Sequence, residues 1–181
     1  MEVWQEIIEN PERGARRLIT EYRDRLYASA LFLCSDPASA EDLVYRTFER
    51  AIERVREHRP DSSFYAWIYT ILLNFHRMNV RREVRKPLEY VEDIPEIPDD
   101  NPTSVERLVM KTDAANLRSA VRALPPELRE VVVLRYFEDL PIADVSDLLQ
   151  IKAGTVKSRL NRAKGMLYDS LKQIERKGTI A

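Results

Sequence analysis

The 181-residue chain holds one cysteine, two histidines and four glycines. Cys34 alone closes no intramolecular disulfide, and so few soft ligands build no Cys/His zinc site. Such sparing use of cysteine suits a reducing compartment. The longest largely apolar stretch, about Ala66 to Leu73, falls far short of the ~20 residues a membrane span needs, and Met1 opens an acidic segment rather than a basic leader. A cytoplasmic protein with no direct membrane insertion is expected. Also missing are a glycine-rich phosphate loop, a nucleophile elbow and a histidine-based metal motif. No catalytic residue, metal, cofactor or small-molecule substrate is therefore assigned, and the protein is expected not to be an enzyme. Net charge is absent too: 29 Lys and Arg face 30 Asp and Glu, leaving -1. Taken whole, that balance argues against a polyanion partner.

What is present is a globular composition, 44% hydrophobic and 33% charged, long enough for two small domains. Ala15, Leu18, Ile19, Tyr22, Leu26, Ala30, Leu33 and Cys34 recur at helical spacing. Asp36 before Pro37 reads as an N-cap with proline at the first helical position, and Ala40, Leu43, Val44, Phe48, Ala51, Ile52 and Val55 form the next stripe. Its outward face carries Glu41, Asp42, Tyr45, Arg46, Glu49 and Arg50, as a solvated surface also would. His58 to Ser63 form a loop, and Ser62 or Ser63 can cap the helix that runs from Phe64 to Lys86. Phe64, Trp67, Ile68, Ile71 and Phe75 have core spacing. Tyr65, Tyr69, Asn74, Arg77 and the later arginines are left as contacts for unpaired nucleic acid, which needs stacking surfaces and cations. His58 and His76 are read as loop and nucleic-acid-facing polar residues, and Cys34 as core.

Pro87 to Pro102 contain four prolines, six acidic residues and no basic one, which marks an extended acidic linker. Thr103 with Glu106 satisfies the capping-box pattern ahead of Val105, Leu108, Val109, Leu117, Val121 and Leu124. Leu128 to Phe137 suggest a short buried helix. Pro141 to Leu149 and Thr155 to Leu171, separated by about four residues, have helix-turn-helix dimensions. From Lys152 to Lys164 there are five basic residues and no acidic one, as a helix facing phosphates requires. The expected class is all-α, with two small helical domains joined by an acidic, proline-rich linker.

Several stretches together resemble the extracytoplasmic-function, or ECF, sigma factors of the sigma-70 family. They are Asp36-Pro37 with Ala40 to Val44 and Thr47-Phe48, Phe64 to Tyr69 with Asn74, Leu124-Pro125 with Arg129, and Gly154 to Leu160 with Arg162-Ala163. The resemblance implies a sigma-2 helical bundle at residues 10–86, a linker at 87–113 and a sigma-4 helix-turn-helix domain at 114–175. It implies docking on core RNA polymerase through Glu41, Asp42, Tyr45 and Glu49. Capture of melted minus-10 DNA falls to Asp61, Ser62, Ser63, Tyr65, Asn74, Arg77 and Arg81. Reading of the minus-35 duplex falls to Thr155, Lys157, Ser158, Arg159 and Arg162. An anti-sigma factor is a further expected partner. The sequence departs from the family pattern at Tyr45 and Arg46, where glutamine and an acidic residue are usual. It departs again at Gln150, often glycine or asparagine, and at Ser146, usually alanine. The main alternative is a helix-turn-helix transcription regulator that binds duplex DNA independently of polymerase.

The neutrality of the whole is a cancellation. Residues 1–86 carry +1, residues 87–113 carry -6 and residues 114–181 carry +4. The positive ends can meet DNA where the acidic middle cannot.

Overall fold

A computed structural model describes residues 1–34, 36–83 and 114–178. The expected linker and the Thr103–Glu106 capping box lie outside the described residues. Eight α-helices and no strand occur among the described residues, and contacts divide the chain into two compact units, Met1–Leu88 and Glu89–Ala181.

The first unit begins with a helix that periodicity does not announce, α1 at Val3–Glu9. Asn10 accepts a hydrogen bond from the Arg13 amide at 3.1 Å and Pro11 opens α2, which runs Pro11–Leu33 and thus starts one turn before the expected stripe. Glu6 of α1 is 2% exposed. Its carboxylate meets Arg13 at 2.6 Å and Arg17 at 3.0 Å, which supplies the pairing a buried charge requires. The helices approach so closely at Gly14 that a Cβ there would lie 2.5 Å from Ile7 Cα and 2.7 Å from the Glu6 carbonyl carbon. Gly14→Ala must push two backbones apart, at an expected cost of about 1–3 kcal/mol. The chain's two tryptophans, Trp4 and Trp67, both lie in this unit. A lowered urea midpoint in tryptophan fluorescence is the measurement that checks it.

Helix α3 (Pro37–Glu53) starts as its sequence predicts: Asp36 accepts from the Ser39 amide at 2.9 Å and from its hydroxyl at 2.7 Å. A 3-10 turn at Val55–Glu57, capped by His58, leads through loop 59–63 to α4 (Phe64–Glu83). Leu18, Leu26 and Ala30 of α2, Leu43 and Ala51 of α3 and Ile68 and Leu72 of α4 are all fully buried. Each large aliphatic chain in such a core is worth about 1.5–3 kcal/mol.

The second unit comprises α5 (Ala114–Arg122), α6 (Pro126–Val132), a π-helical turn at Val133–Phe137, α7 (Ile142–Leu149) and α8 (Ala153–Gly178). Arg129 holds the turn between α5 and α6, donating to the carbonyls of Arg122 at 2.5 Å and Leu124 at 3.0 Å. Val131 to Leu134 are buried as expected, but Tyr136 is 51% and Phe137 38% exposed. The wider π turn carries these two rings away from the core.

Candidate nucleic-acid interface

In the first unit the loop and α4 form the candidate strand-binding surface. Asp61, Ser62 and Ser63 are all exposed. The Ser62 amide and hydroxyl donate to the Arg59 carbonyl at 3.0 and 2.9 Å, and the Ser63 hydroxyl accepts from the Ala66 amide at 3.3 Å. These bonds form a turn running into the helix cap and leave the Asp61 carboxylate facing solvent. At about 100° per residue, Asn74, Arg77 and Arg81 fall on one stripe of α4, together with Thr70. Asn74 and Arg81 are exposed and Arg77 is half-buried.

Tyr65 does not join that stripe. It lies on the opposite side of α4, against α2, with the Arg25 guanidinium 3.9 Å above its ring and Tyr22 at 5.7 Å. The seven expected minus-10 residues therefore divide into the loop, one helical stripe and a separate aromatic edge. Burial pushes the Tyr22 phenol above its usual pKa, so it remains a neutral packing surface. Arg25, which sequence reasoning did not single out, is the exposed cation of this edge.

Three readings are corrected by burial. Tyr69 is 1%, His76 3% and His58 6% exposed, so none presents its side chain to a nucleic acid. Tyr69 and His76 follow the same helical face as Leu72 and Leu73, and His58 sits among Trp4, Phe64 and Trp67. Cys34 is buried, in line with its reading as core.

On α3, Glu41, Asp42, Tyr45 and Glu49 share one exposed face, and Tyr45 is 63% exposed. Arg46 borders that face. Its guanidinium lies 3.6 Å from Asp42 and 4.6 Å from the centre of the Phe75 ring, so it tempers one acidic charge while tying α3 to α4.

In the second unit, α7, a tight turn and α8 form the helix-turn-helix. Val145 and Leu149 of α7 are buried with Val156, Leu160 and Ala163 of α8, which fixes how the two helices pack. Gln150 closes α7 in the left-handed region at φ 57°, ψ 43°. Its side-chain Nε2 donates to the Asp147 carbonyl at 2.6 Å, and the Ser146 hydroxyl donates to the Ile151 carbonyl at 2.6 Å. The two departures from the family pattern thus stitch the turn together. Gln150→Gly relieves the positive φ but deletes the side-chain hydrogen bond to Asp147, and the two effects are expected to offset to within about 1 kcal/mol. Gln150→Ala, which keeps the strain and loses the bond, should lower the second unit's stability by about 0.5–1.5 kcal/mol. Circular dichroism through a urea transition measures both.

At about 100° per residue Thr155, Ser158, Arg159 and Arg162 fall on one arc of α8 outside its buried stripe, with Arg159 bordering that stripe, and all four are half-buried. Lys157, which is exposed, lies on a flank with Lys164. The arc thus presents short polar groups and arginines, with lysines on the other flank of the stripe, the residue types suited to base edges and phosphates. Among the described residues no group of three His, Cys, Asp or Glu side chains is placed to hold a metal ion, and no helix is long and apolar enough to cross a membrane.

Comparison with known proteins places these surfaces in a family context. Residues 18–86 match the model described as Sigma-70 region 2, and residues 114–167 match that described as Sigma-70, region 4. The chain is 34% identical over 155 residues to the ECF RNA polymerase sigma factor SigE of Mycolicibacterium smegmatis, covering 85% of the chain but only 60% of that relative. It is 32% identical over 151 residues to the RNA polymerase sigma-E factor of Streptomyces coelicolor, covering 82% of the chain and 81% of the relative. Its structure is similar to that of the sigma factor RpoE of Bartonella quintana, solved with the anti-sigma factor NepR. The TM-score is 0.67 at 25% identity, covering 87% of this chain and 96% of that one.

Proposed function

Because the chain belongs to the ECF RNA polymerase sigma factors of the sigma-70 family, we propose that it binds core RNA polymerase and directs initiation at particular promoters through two physically different contacts. The observation that carries this reading is the pair of separate polar surfaces: the loop with the Asn74–Arg77–Arg81 stripe in one unit, and the polar arc of α8 in the other.

The second unit reads duplex DNA. Thr155, Ser158, Arg159 and Arg162 enter the minus-35 major groove while Lys157 meets phosphate, and each good contact to a base edge is worth about 1–3 kcal/mol. The first unit captures the melted minus-10 strand. Flipping a base from the stack costs a few kcal/mol. Asp61, Ser62 and Ser63 accept the flipped base by hydrogen bonding, Asn74 bonds the adjacent strand, and Arg77 and Arg81 meet its phosphates. Tyr65 is reached only by a base passing round to the α2 side, where stacking worth about 1–3 kcal/mol displaces an exposed arginine held by about 0.5–1 kcal/mol. The exposed face of Glu41, Asp42, Tyr45 and Glu49 docks on polymerase.

Bond making belongs to the polymerase, so this chain works in the cytoplasm as a specificity factor, not as an enzyme. The Bartonella relative was solved with an anti-sigma factor, and we extend that mode of restraint to this chain. A helix-turn-helix regulator acting without polymerase gives no account of residues 18–86, which match region 2. Reconstituted transcription with core polymerase and a promoter library tests the reading. Defined start sites that depend on this protein support it, and failure to join core or to direct initiation ends it.

A further inference from the structure

His58 is a buried titratable group that the mechanism above does not use. Neither ring nitrogen has a hydrogen-bond partner and the residue is 6% exposed. Three rings stand where partners would: Phe64 at 5.0 Å, Trp4 at 5.5 Å and Trp67 at 5.6 Å. His58 immediately precedes loop 59–63 and Phe64 immediately follows it, so their edge-on contact ties the two ends of the loop together. Phe64 in turn stacks on Trp67 with 17° between the planes. Trp4 closes the box from α1, which is held down by Glu6 and the close approach at Gly14.

Such a box favours the uncharged ring: aromatic faces attract a cation, but only in part offset its loss of water when no hydrogen-bond partner is present. An uncharged imidazole can rest its N–H on an aromatic face, whereas an imidazolium brings two donors and a charge into a site with no acceptor. The charges nearby do not supply one. Asp61, on the loop, favours the protonated ring through space, but burial outweighs it and holds His58 below its ordinary pKa. On α1, Glu6 is engaged by Arg13 and Arg17. At the 3-10 turn, Glu57 lies 3.5 Å from Arg54, and Arg56 is exposed. The first turn of α4 carries no acidic residue.

We propose that His58 is a positioning residue for strand capture: its uncharged ring clasps the ends of loop 59–63 in the base-accepting arrangement, and protonation releases them. The proposal rests on the strand-binding role assigned to that loop. The sign follows from the lowered pKa. The clasp is at full strength above the ordinary histidine value of about 6.5 and weakens as pH falls below it, where the released state binds the proton more readily.

The experiment uses full-length protein assembled with core polymerase, and a fluorescent single-stranded minus-10 oligonucleotide as probe. Wild type is expected to lose about tenfold in affinity between pH 7.5 and pH 5.5. His58→Phe keeps a ring in the box and is expected to retain wild-type affinity at pH 7.5 with a flat profile. His58→Ala, which opens a void, is expected to bind weakly at both values. Both of the chain's tryptophans touch His58, so intrinsic fluorescence of the full chain should titrate in wild type and not in His58→Phe. That reading is independent of DNA. Matching pH profiles for wild type and His58→Phe, or fluorescence titrating equally in both, overturn this proposal alone. Absence of strand binding by wild type at pH 7.5 overturns the role of the loop and the proposal with it.

Discussion

Asn74→Ala is expected to leave polymerase assembly and upstream duplex binding intact while lowering promoter opening by about 10- to 100-fold, the loss of one good base contact. Asn74 is exposed on α4 and its side chain supports no part of the core, so stability should change by less than about 0.5 kcal/mol. The measurement is permanganate reactivity of minus-10 thymines in holoenzyme complexes. Because Asn74 lies between the capture loop and Arg77 on the proposed path of the strand, losing it should interrupt that path. A duplex that is not held open recloses, since the unstacking cost is no longer offset.

The paired substitution Arg159→Ala with Arg162→Ala is expected to have the largest effect on upstream recognition. These residues sit one turn apart on the polar arc of α8, and together they should supply about 3–5 kcal/mol of minus-35 binding. Their signature is separable from a folding defect. With both in the groove at base edges, minus-35 sequence preference should relax, and any flattening of the slope of log affinity against log salt should stay below about two. If both meet phosphate the slope should flatten by about two with preference retained. Footprinting of the upstream duplex across a salt series distinguishes these outcomes.

The parts legible in the sequence are those written in local rules. Asp36-Pro37 announces α3 because a side-chain cap and a fixed φ act within three residues. The spacing of Val145, Leu149, Val156, Leu160 and Ala163 announces the helix-turn-helix because its core is a matter of helical periodicity. The same arithmetic separates Tyr65 from Asn74, Arg77 and Arg81, so that division was readable as well. His76 and Tyr69 lie on the face of Leu72, and only their polar chemistry obscured their burial.

Other features depend on tertiary contacts. Helix α1 is seven residues long, too short to show a period, and is fixed by Gly14 and by Glu6 between two arginines. The burial of His58 depends on Trp4 of that same helix. A reader who misses α1 therefore leaves His58 in solvent. The π turn is hidden for a different reason: Val131 to Phe137 are apolar or aromatic except for Arg135, and such a run does not reveal where the backbone widens.

The central claim is that opening and duplex reading reside in different units. Its most direct test measures minus-35 protection and minus-10 permanganate reactivity on the same complexes, for Asn74→Ala and Arg159→Ala. The account predicts that Asn74→Ala keeps protection and loses reactivity. Arg159→Ala should lose protection and recover reactivity when holoenzyme concentration is raised. Equal, parallel loss of both signals in both variants would contradict it.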